Sequence, residues 1–250
     1  CPRRLASQTV SNIVSILKGV YFDLGRNDPW DPCLNVGNPV CSSEVLRYQR
    51  GIKKEQAQGH VLSRQAKPIF LSKLSIIVSH IDTLLSQQIS LRERYLFLRD
   101  RAFFLMQFFA GDRAGDLGLM LAQEVRQIPS GSGLIVTHTA GKTLQGGKSN
   151  TFSLPSCPGS ILCPVKALKS YVAGTKEMSI NLGCGYLFRP VNESGLVLEQ
   201  ALSYGAIYER LKHYLLALNI FEGETPHSLR AGCAITLAAK GGSSIADDIM

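Results

Sequence analysis

The 250-residue sequence predicts a mainly α-helical protein with a small antiparallel β-sheet, which is an α+β fold. Most of the chain repeats apolar residues every three or four positions, as amphipathic helices do. One stretch, between about residues 124 and 155, has short β-type runs joined by glycines instead. With 45% hydrophobic and 18% charged residues, the composition is that of an ordinary globular protein with one large or two small cores.

Residues 1–66 are predicted to form a separate helical unit. Apolar residues at helical spacing predict one helix over Ser7–Leu24 and another over Ser42–Gln58, with a turn-rich segment over Asn27–Pro39 between them. The second helix carries four basic residues close together, named here the basic strip: Arg47, Arg50, Lys53 and Lys54. Such a strip can follow the phosphates of a nucleic acid, but the same spacing is equally typical of a solvated helix face.

The larger unit is predicted over residues 67–250, after a linker at Ser63–Pro68. Its helices are predicted at about 71–87, 90–110, 113–121, 163–174, 201–219 and 226–240. Two β-type runs, Leu134–Thr139 and Ser149–Leu154, flank a glycine-containing connection and predict a β-hairpin. His138 is predicted to be a packed or edge residue of its strand rather than a catalyst.

A corner between two helices places an arginine at a defined position. The apolar-periodic stretch that begins at Leu91 stops at Gly111, and Arg113 starts a short helix with Asp116 three residues later. In isolation this pattern is typical of a surface ion pair worth less than about 1 kcal/mol. Arg113 therefore indicates a site only together with residues elsewhere in the chain.

Lys142 and Lys148 lie in the connection between the two β-type runs, so both are predicted on a hairpin. The Gly-Lys-Thr at 141–143 resembles the end of a phosphate-binding P-loop. That motif also requires glycine at position 136, where this chain has Val136, and no helical pattern follows. A lysine on a hairpin is usually solvated. These two indicate a site only because they lie, in sequence order, between the corner arginine and a later His-x-x-Arg motif.

Residues 225–230, with the sequence TPHSLR, predict the start of a helix with Thr225 as N-cap and Pro226 at the first helical position. His227 and Arg230 then share one face in the first turn. Free backbone N–H groups and the positive end of the helix dipole favour a phosphate there. A bare His-x-x-Arg motif is otherwise typical of a capped surface helix.

Charge and composition indicate which kinds of partner, metal site and cellular location fit this sequence. A net charge of +8 and a pI near 9.2 favour a polyanionic partner, although many unrelated basic proteins share these values. The seven cysteines include no C-x-x-C pair and the five histidines show no ligand spacing, so no disulfide scaffold or metal site is predicted. Without an apolar run of ~20 residues or a signal peptide, an intracellular protein with no membrane partner is predicted.

The order of corner arginine, hairpin lysine and His-x-x-Arg resembles the catalytic domain of tyrosine recombinases of the phage-integrase type. The resemblance covers most of the chain, and the hairpin sequence GKTLQGGKSN looks closest to eukaryotic mobile-element recombinases of the Crypton or DIRS-like kind. It implies that residues 67–250 have the catalytic-domain fold and that residues 1–66 are part of a helical core-binding domain that contacts DNA.

The resemblance also implies a catalytic set of two arginines, a lysine and a histidine, namely Arg113, Lys142, His227 and Arg230. Asp116 falls on the acidic position after the first arginine, and Lys148 is the alternative to Lys142. The arginines would hold phosphate oxygens through charge-assisted hydrogen bonds, the lysine would protonate the departing 5′ oxygen, and the histidine would assist proton movement.

The implied reaction is cleavage and rejoining of double-stranded DNA through a 3′-phosphotyrosine, in the nucleus if the host is eukaryotic. Because the phosphotyrosine conserves the bond energy, no cofactor is expected, neither ATP nor a metal. The resemblance further implies self-association on DNA as a synaptic tetramer. The alternatives are a type IB topoisomerase, which uses a similar residue set, and a decayed or domesticated protein that binds DNA without cutting it.

Both ends of the sequence read as cut. The chain begins at Cys1 without a methionine, and a new helix signal at 243–248 stops at Met250. The next family motif, a His or Trp, and the nucleophilic tyrosine are expected beyond Met250, because no tyrosine follows His227. We therefore expect a fragment that lacks the nucleophile and forms no covalent adduct by itself.

Overall fold

The computed structural model describes residues 5–59, 67–141, 144 and 148–241. The chain divides into two compact units, Cys1–Gln65 and Ala66–Met250. The predicted linker at Ser63–Pro68 lies mostly outside the described residues, and the helix signal at 243–248 lies wholly outside them.

The smaller unit contains two helices, α1 (Ser7–Asp23) and α2 (Ser43–Gln58), with a short 3-10 turn at Pro39–Cys41 in the loop between them. The loop is anchored by Asn38, whose side-chain Nδ2 donates a hydrogen bond to the Lys18 carbonyl at 3.1 Å. Neither helix has a buried residue. The apolar side chains of both helices are therefore at most half-buried.

The centre of the larger unit is α4 (Leu91–Ala110). Thirteen of its 20 residues are buried, and a helix that is buried on every side is a core helix. It begins at a capping box formed by Ser90 and Glu93 and ends at Gly111, whose φ of 63° lies in the left-handed region. The predicted stop at Gly111 is thus confirmed, and it fixes where the next helix starts.

Other helices of the larger unit surround α4, namely α3 (Leu71–Leu85), α5 (Ala114–Gly118), α6 (Pro164–Glu177), α7 (Tyr204–Ala217) and α8 (His227–Gly241). Each lies close to a predicted helix, and the differences are at the ends. α5 is shorter than predicted, because the chain leaves the helix after Gly118 and forms a 3-10 turn at Ala122–Glu124. α7 begins at Tyr204 because the Ser203 hydroxyl caps it, accepting from the Ala206 amide at 3.1 Å.

Three strands form an antiparallel sheet in the order β1 (Val125–Gln127), β2 (Gly133–His138), β3 (Asn150–Pro155). The pairing of β2 with β3 runs from Gly133↔Pro155 to His138↔Asn150. Leu134, Val136 and His138 are buried, so these alternate residues of β2 face the core. The α+β class predicted from the sequence is confirmed, and the hairpin connection leaves the sheet directly after His138.

A buried ionic network joins α7 to the central helix. Asp100 on α4 is fully buried and accepts hydrogen bonds from Arg99 at 2.6 Å, Arg210 at 2.6 Å and the Tyr214 hydroxyl at 2.8 Å. Burial raises the pKa of Tyr214 well above its ordinary value, and the charge of Asp100 adds to this. Tyr214 is therefore a neutral hydrogen-bond donor of the core.

Candidate phosphate-binding site

The site is built around the corner at residues 111–116, between α4 and α5. Gln107, which is fully buried, donates from Nε2 to the Pro226 carbonyl at 2.7 Å and to the Asp112 carbonyl at 3.4 Å. One side chain therefore ties the corner to the segment that leads into α8. The Asp112 amide in turn donates to the Gln107 carbonyl at 3.2 Å, so the corner is held from both directions.

Arg113 is the N-cap residue of α5 and points a partly exposed side chain from the corner. Its Nη1 lies 3.6 Å from Asp116 Oδ2, so the ion pair predicted at this spacing is present. The Arg113 side chain is 37% exposed, which leaves the guanidinium accessible to an anion from solvent. A pair this exposed contributes little to folding stability.

α8 begins at His227, one residue later than the predicted start at Pro226. Its first turn is fixed by two hydrogen bonds, from the Ile69 amide to the Ser228 carbonyl at 2.9 Å and from the Thr225 amide to Ser228 Oγ at 3.0 Å. Further along, a Cβ at Gly232 would lie only 1.8 Å from the Ile69 carbonyl oxygen. The helix therefore packs backbone against backbone at residue 69, which sets the position of its N-terminus.

Arg230 connects α8 to the corner. Its Nη1 donates to the carbonyl oxygen of Gly111 at 2.6 Å, across 119 residues of sequence. This contact brings the second motif arginine to the backbone two residues before Arg113. His227 lies one turn before Arg230 and is exposed. The structure thus gathers Arg113, Asp116 and Arg230 around one corner, with His227 on the adjacent helical turn.

Of the two hairpin lysines, only Lys148 lies within the described residues. Lys142 lies outside the described residues, and Lys148 is exposed two residues before β3. The start of the connection does lie against the corner, because a Cβ at Gly141 would be 3.2 Å from Asp116 Cγ. The assignment of a catalytic lysine stays a prediction.

The sequence does not predict a pair beside Arg113 between a buried histidine, His138, and a partly buried aspartate, Asp112. His138 is 4% exposed, its Nε2 lies 2.7 Å from Asp112 Oδ2, and its ring stacks on Phe152 of β3 with centroids 5.9 Å apart. Burial alone would lower the pKa of His138, but the hydrogen bond and charge of Asp112 outweigh burial and raise it. The sequence predicted a packed or edge residue of the strand, and the structure shows the packed position, yet nothing in the sequence identifies a partner 26 residues away.

Glu124 holds the first residue after β2. Its Oε1 accepts from the Thr139 amide at 3.0 Å and also from the Thr139 hydroxyl, and its Oε2 accepts from the Leu121 amide at 2.7 Å. Glu124 is buried, and all of these bonds satisfy a carboxylate that would otherwise be costly to bury. The exit of β2 is therefore fixed on one side by Glu124 and on the other by Asp112.

The basic strip lies in the smaller unit, where all four of its side chains are exposed on α2. Arg50 Nε donates to the Leu46 carbonyl at 3.2 Å, a contact within the helix. Exposure agrees with both interpretations of the strip, a contact surface for phosphates and a solvated face.

The chemistry at the corner is that of an anion site. Arg113 belongs to the corner, and Arg230 contacts the corner backbone from the first turn of a 15-residue helix. Guanidinium N–H donors match the oxygens of a phosphate, and a helix N-terminus favours an anion. Across the described ranges, no three His, Cys, Asp or Glu side chains come together to hold a metal ion. Nor does any described helix combine the length and apolarity needed to cross a membrane.

Comparison with known proteins gives one curated relative and several similar folds. No protein-family model matches the sequence. An integrase/recombinase XerD homolog of Selenomonas ruminantium is 24% identical over 205 residues, which are 80% of this chain and 54% of the relative. The chain therefore spans about half the length of that protein.

Two solved structures have similar folds. The XerH site-specific recombinase bound to its difH substrate matches with a TM-score of 0.51 and 14% identity, over 74% of this chain and 46% of that one. The Tn1549 transposon integrase in complex with transposon right end DNA matches with a TM-score of 0.54 and 16% identity, over 98% of this chain and 71% of that one.

These matches agree with the mainly helical fold and its small antiparallel sheet. The aligned region of the curated relative covers four fifths of the chain, and the solved recombinases share its helical fold with a small sheet. The chain is therefore similar in sequence to an integrase/recombinase and similar in fold to two solved recombinases.

Proposed function

We propose that this chain binds double-stranded DNA and holds the phosphate at which a DNA strand is cut and rejoined. The observation that carries the proposal is the 2.6 Å hydrogen bond from Arg230 to the Gly111 carbonyl. It brings the arginine of the His-x-x-Arg motif to the corner that carries Arg113. Two arginines from distant parts of the sequence can then contact one phosphate.

The proposed chemistry follows from the charge that develops during the reaction. Attack on a phosphodiester builds negative charge on the two non-bridging oxygens, which Arg113 and Arg230 hold through charge-assisted hydrogen bonds. Asp116 orients Arg113 through their ion pair. His227, exposed at the start of α8, contacts the phosphate or moves a proton, and Lys142 keeps its assignment as the acid for the departing 5′ oxygen.

In the proposed reaction a tyrosine outside these 250 residues forms the 3′-phosphotyrosine. All eight tyrosines of the chain precede His227 in sequence, whereas the family order places the nucleophile after the His-x-x-Arg motif. Tyr95, Tyr171 and Tyr214 are moreover buried in the core. The role proposed for the present chain is thus to bind DNA and stabilise the transition state.

The partner is proposed from the relatives as well as from charge. The XerH structure holds its difH substrate and the Tn1549 integrase structure holds transposon end DNA. By similarity we propose duplex DNA as the partner of this chain, with self-association on DNA, in DNA recombination or integration. Membership in a Crypton- or DIRS-like mobile element and a nuclear location in a eukaryotic host stay predictions.

The proposal is tested by trapping the covalent intermediate. A protein that contains this chain and a downstream tyrosine should form a denaturant-resistant adduct on a nicked suicide duplex, without ATP or added metal. Arg113→Ala and Arg230→Ala should each lower the rate of adduct formation by about 10²- to 10³-fold, the usual cost of losing one group that stabilises transition-state charge. Arg94→Ala, at the far end of α4, is the control and should leave the rate unchanged.

Two outcomes would contradict the proposal in different ways. Adduct formation that is unaffected by both arginine substitutions would show that the corner is not the site. Tight, salt-sensitive DNA binding with no adduct in any form of the protein would favour a DNA-binding protein that does not cut.

A further inference from the structure

The His138–Asp112 pair joins two parts of the candidate site that are distant in sequence, the corner that carries Arg113 and the end of β2. Asp112 directly precedes Arg113 in the corner, and His138 is the last residue of β2. Their side chains form a hydrogen bond of 2.7 Å, in which His138 is buried and the Asp112 side chain is 16% exposed. This hydrogen bond therefore connects the strand to the corner. The reaction proposed above uses neither residue.

The pair is set in rigid surroundings. Phe152 stacks on the His138 ring at an interplanar angle of 27°, and the next residue, Thr139, is fixed by Glu124. On the other side, the corner backbone is held by Gln107 and Arg230. The end of β2 and the corner are thus each fixed by other contacts. A change in the strength of the His138–Asp112 hydrogen bond therefore changes how firmly Arg113 is positioned relative to β2.

Charged groups around the imidazole favour its protonated form. Three carboxylates face it, Asp112 from the corner, Asp116 from α5 and Glu124 from the turn before β1. Arg113 and Arg230 are the cations at the same corner, and each has its own partner, Asp116 and the Gly111 carbonyl. The net effect raises the pKa of His138 above its ordinary value of about 6.5.

We propose that His138 is a positioning residue: through Asp112 it fixes Arg113 relative to strand β2, and it does so more firmly when the imidazole is protonated. The inference rests on the proposed function in that Arg113 is taken to contact the phosphate. A neutral imidazole can still donate from Nε2 to Asp112, but the bond to a protonated ring is roughly twice as strong because both partners are charged.

The direction of the pH effect follows from the raised pKa. A group whose pKa is higher in the folded state contributes stability that is complete below the ordinary value and is lost as the pH rises through the folded value. The connection between β2 and the corner should therefore be firmest below about pH 6.5 and loosen at higher pH.

Hydrogen exchange of the DNA-free 250-residue chain tests the inference without reference to catalysis. Peptides that cover β2, β3 and the 111–118 segment are measured at pH 6, 7 and 8 and corrected for intrinsic exchange rates. His138→Gln places an amide Nε2 donor near the same position without a titrating charge, and Asp112→Asn removes the anion. His213→Gln, an exposed histidine on α7, is the matched control, and α4 peptides report whether each variant is folded.

In the wild-type chain and in His213→Gln, protection of these segments should fall by about fivefold between pH 6 and pH 8, the equivalent of roughly one net hydrogen bond. In His138→Gln and Asp112→Asn, protection should be independent of pH and close to the wild-type value at pH 8. The same pH dependence in His138→Gln, or none in the wild type, would overturn the inference.

Duplex binding at the same three pH values separates this inference from the proposed function. If both hold, wild-type affinity decreases from pH 6 to pH 8 more than the affinity of His138→Gln does. If the chain shows the exchange effect but binds no DNA, the connection is real and the proposed function fails. If it binds DNA and the exchange effect is absent, the function stands and the positioning role of His138 is wrong.

Discussion

At the scale of the residue, the corner is held in place by side chains that donate hydrogen bonds to backbone carbonyls. The last carbonyls of a helix have no partner within the helix, and Arg230 satisfies one beyond the end of α4 by donating to Gly111. Gln107 does the same for Asp112 and Pro226. Arg230 therefore has a structural as well as a proposed chemical role, because one N–H group holds the fold while others can face a phosphate.

The loop before α8 depends on another single residue, Glu224, which is fully buried. Its carboxylate accepts from Lys73 and from the Glu222 amide at 2.7 Å. Burial raises the pKa of Glu224, but the hydrogen bonds from Lys73 and the backbone amides together outweigh burial and lower it. The stability that this group contributes is present above its ordinary pKa and is lost as the pH falls through the lowered value.

Glu224→Gln should therefore destabilise the larger unit by about 2 kcal/mol at pH 7, since it leaves the ammonium of Lys73 without its buried partner. The difference from wild type should shrink as the pH falls below the ordinary glutamate value and through the lowered pKa of Glu224, because the native carboxyl then also becomes neutral. Urea unfolding followed by circular dichroism at pH 7, 5 and 3.5 measures it. Glu177→Gln, which removes an exposed pair with Arg94, should cost at most about 0.5 kcal/mol, and equal losses in both variants would contradict the prediction.

At the scale of the element, local signals explain why most of the helices could be predicted. The capping box at Ser90 and Glu93 and the left-handed glycine at Gly111 are signals within four residues of a helix end. β1 was not predicted as a separate strand because three residues are too short to show an alternating pattern. Its region was recognised only from the longer β2 and β3.

Contacts between elements could not be predicted in the same way. Only their order along the chain predicted that the His-x-x-Arg motif and the corner arginine belong to one site. The sequence does not show that Arg230 reaches Gly111 rather than Arg113 or Asp116. The His138–Asp112 bond depends on the register of β2 against the corner, which is set by packing between distant segments. The sequence predicted His138 as a packed or edge residue of its strand, and that prediction carried no information on its partner.

The position of α8 leads to a prediction at this scale. Gly232→Ala should destabilise the larger unit by about 2 kcal/mol, because the new Cβ would lie 1.8 Å from the Ile69 carbonyl oxygen and the helix must move away. Gly205→Ala on α7 is the control, since its Cβ would meet nothing within 4 Å and should stabilise slightly. Circular dichroism is the suitable measurement, because the one tryptophan, Trp30, lies in the smaller unit. Equal stability of the two variants would mean that α8 does not pack closely on residue 69.

For the molecule as a whole, the two units carry complementary parts of the proposed function. The larger unit contains the corner with Arg113 and Arg230, and the smaller unit presents the basic strip on α2. The net charge of +8 alone would attract any polyanion. A specific DNA-binding surface differs from nonspecific electrostatic attraction in one measurable way. Removing the charges of that surface lowers the number of phosphates neutralised, whereas removing the same number of charges elsewhere does not.

Salt dependence of duplex binding measures that number, because each phosphate neutralised adds about 0.9 to the slope of log affinity against log salt. Replacing the basic strip by alanine should make the slope shallower by about 2 to 4 and weaken binding by similar amounts on all sequences. The matched control also replaces four exposed basic residues on helices of the larger unit, namely Arg94, Lys166, Lys169 and Lys176. Both variants remove four positive charges from the +8, so simple attraction predicts the same slope for both. A shallower slope in the strip variant alone would assign α2 to the DNA surface, and equal slopes would make the strip a solvated helix face.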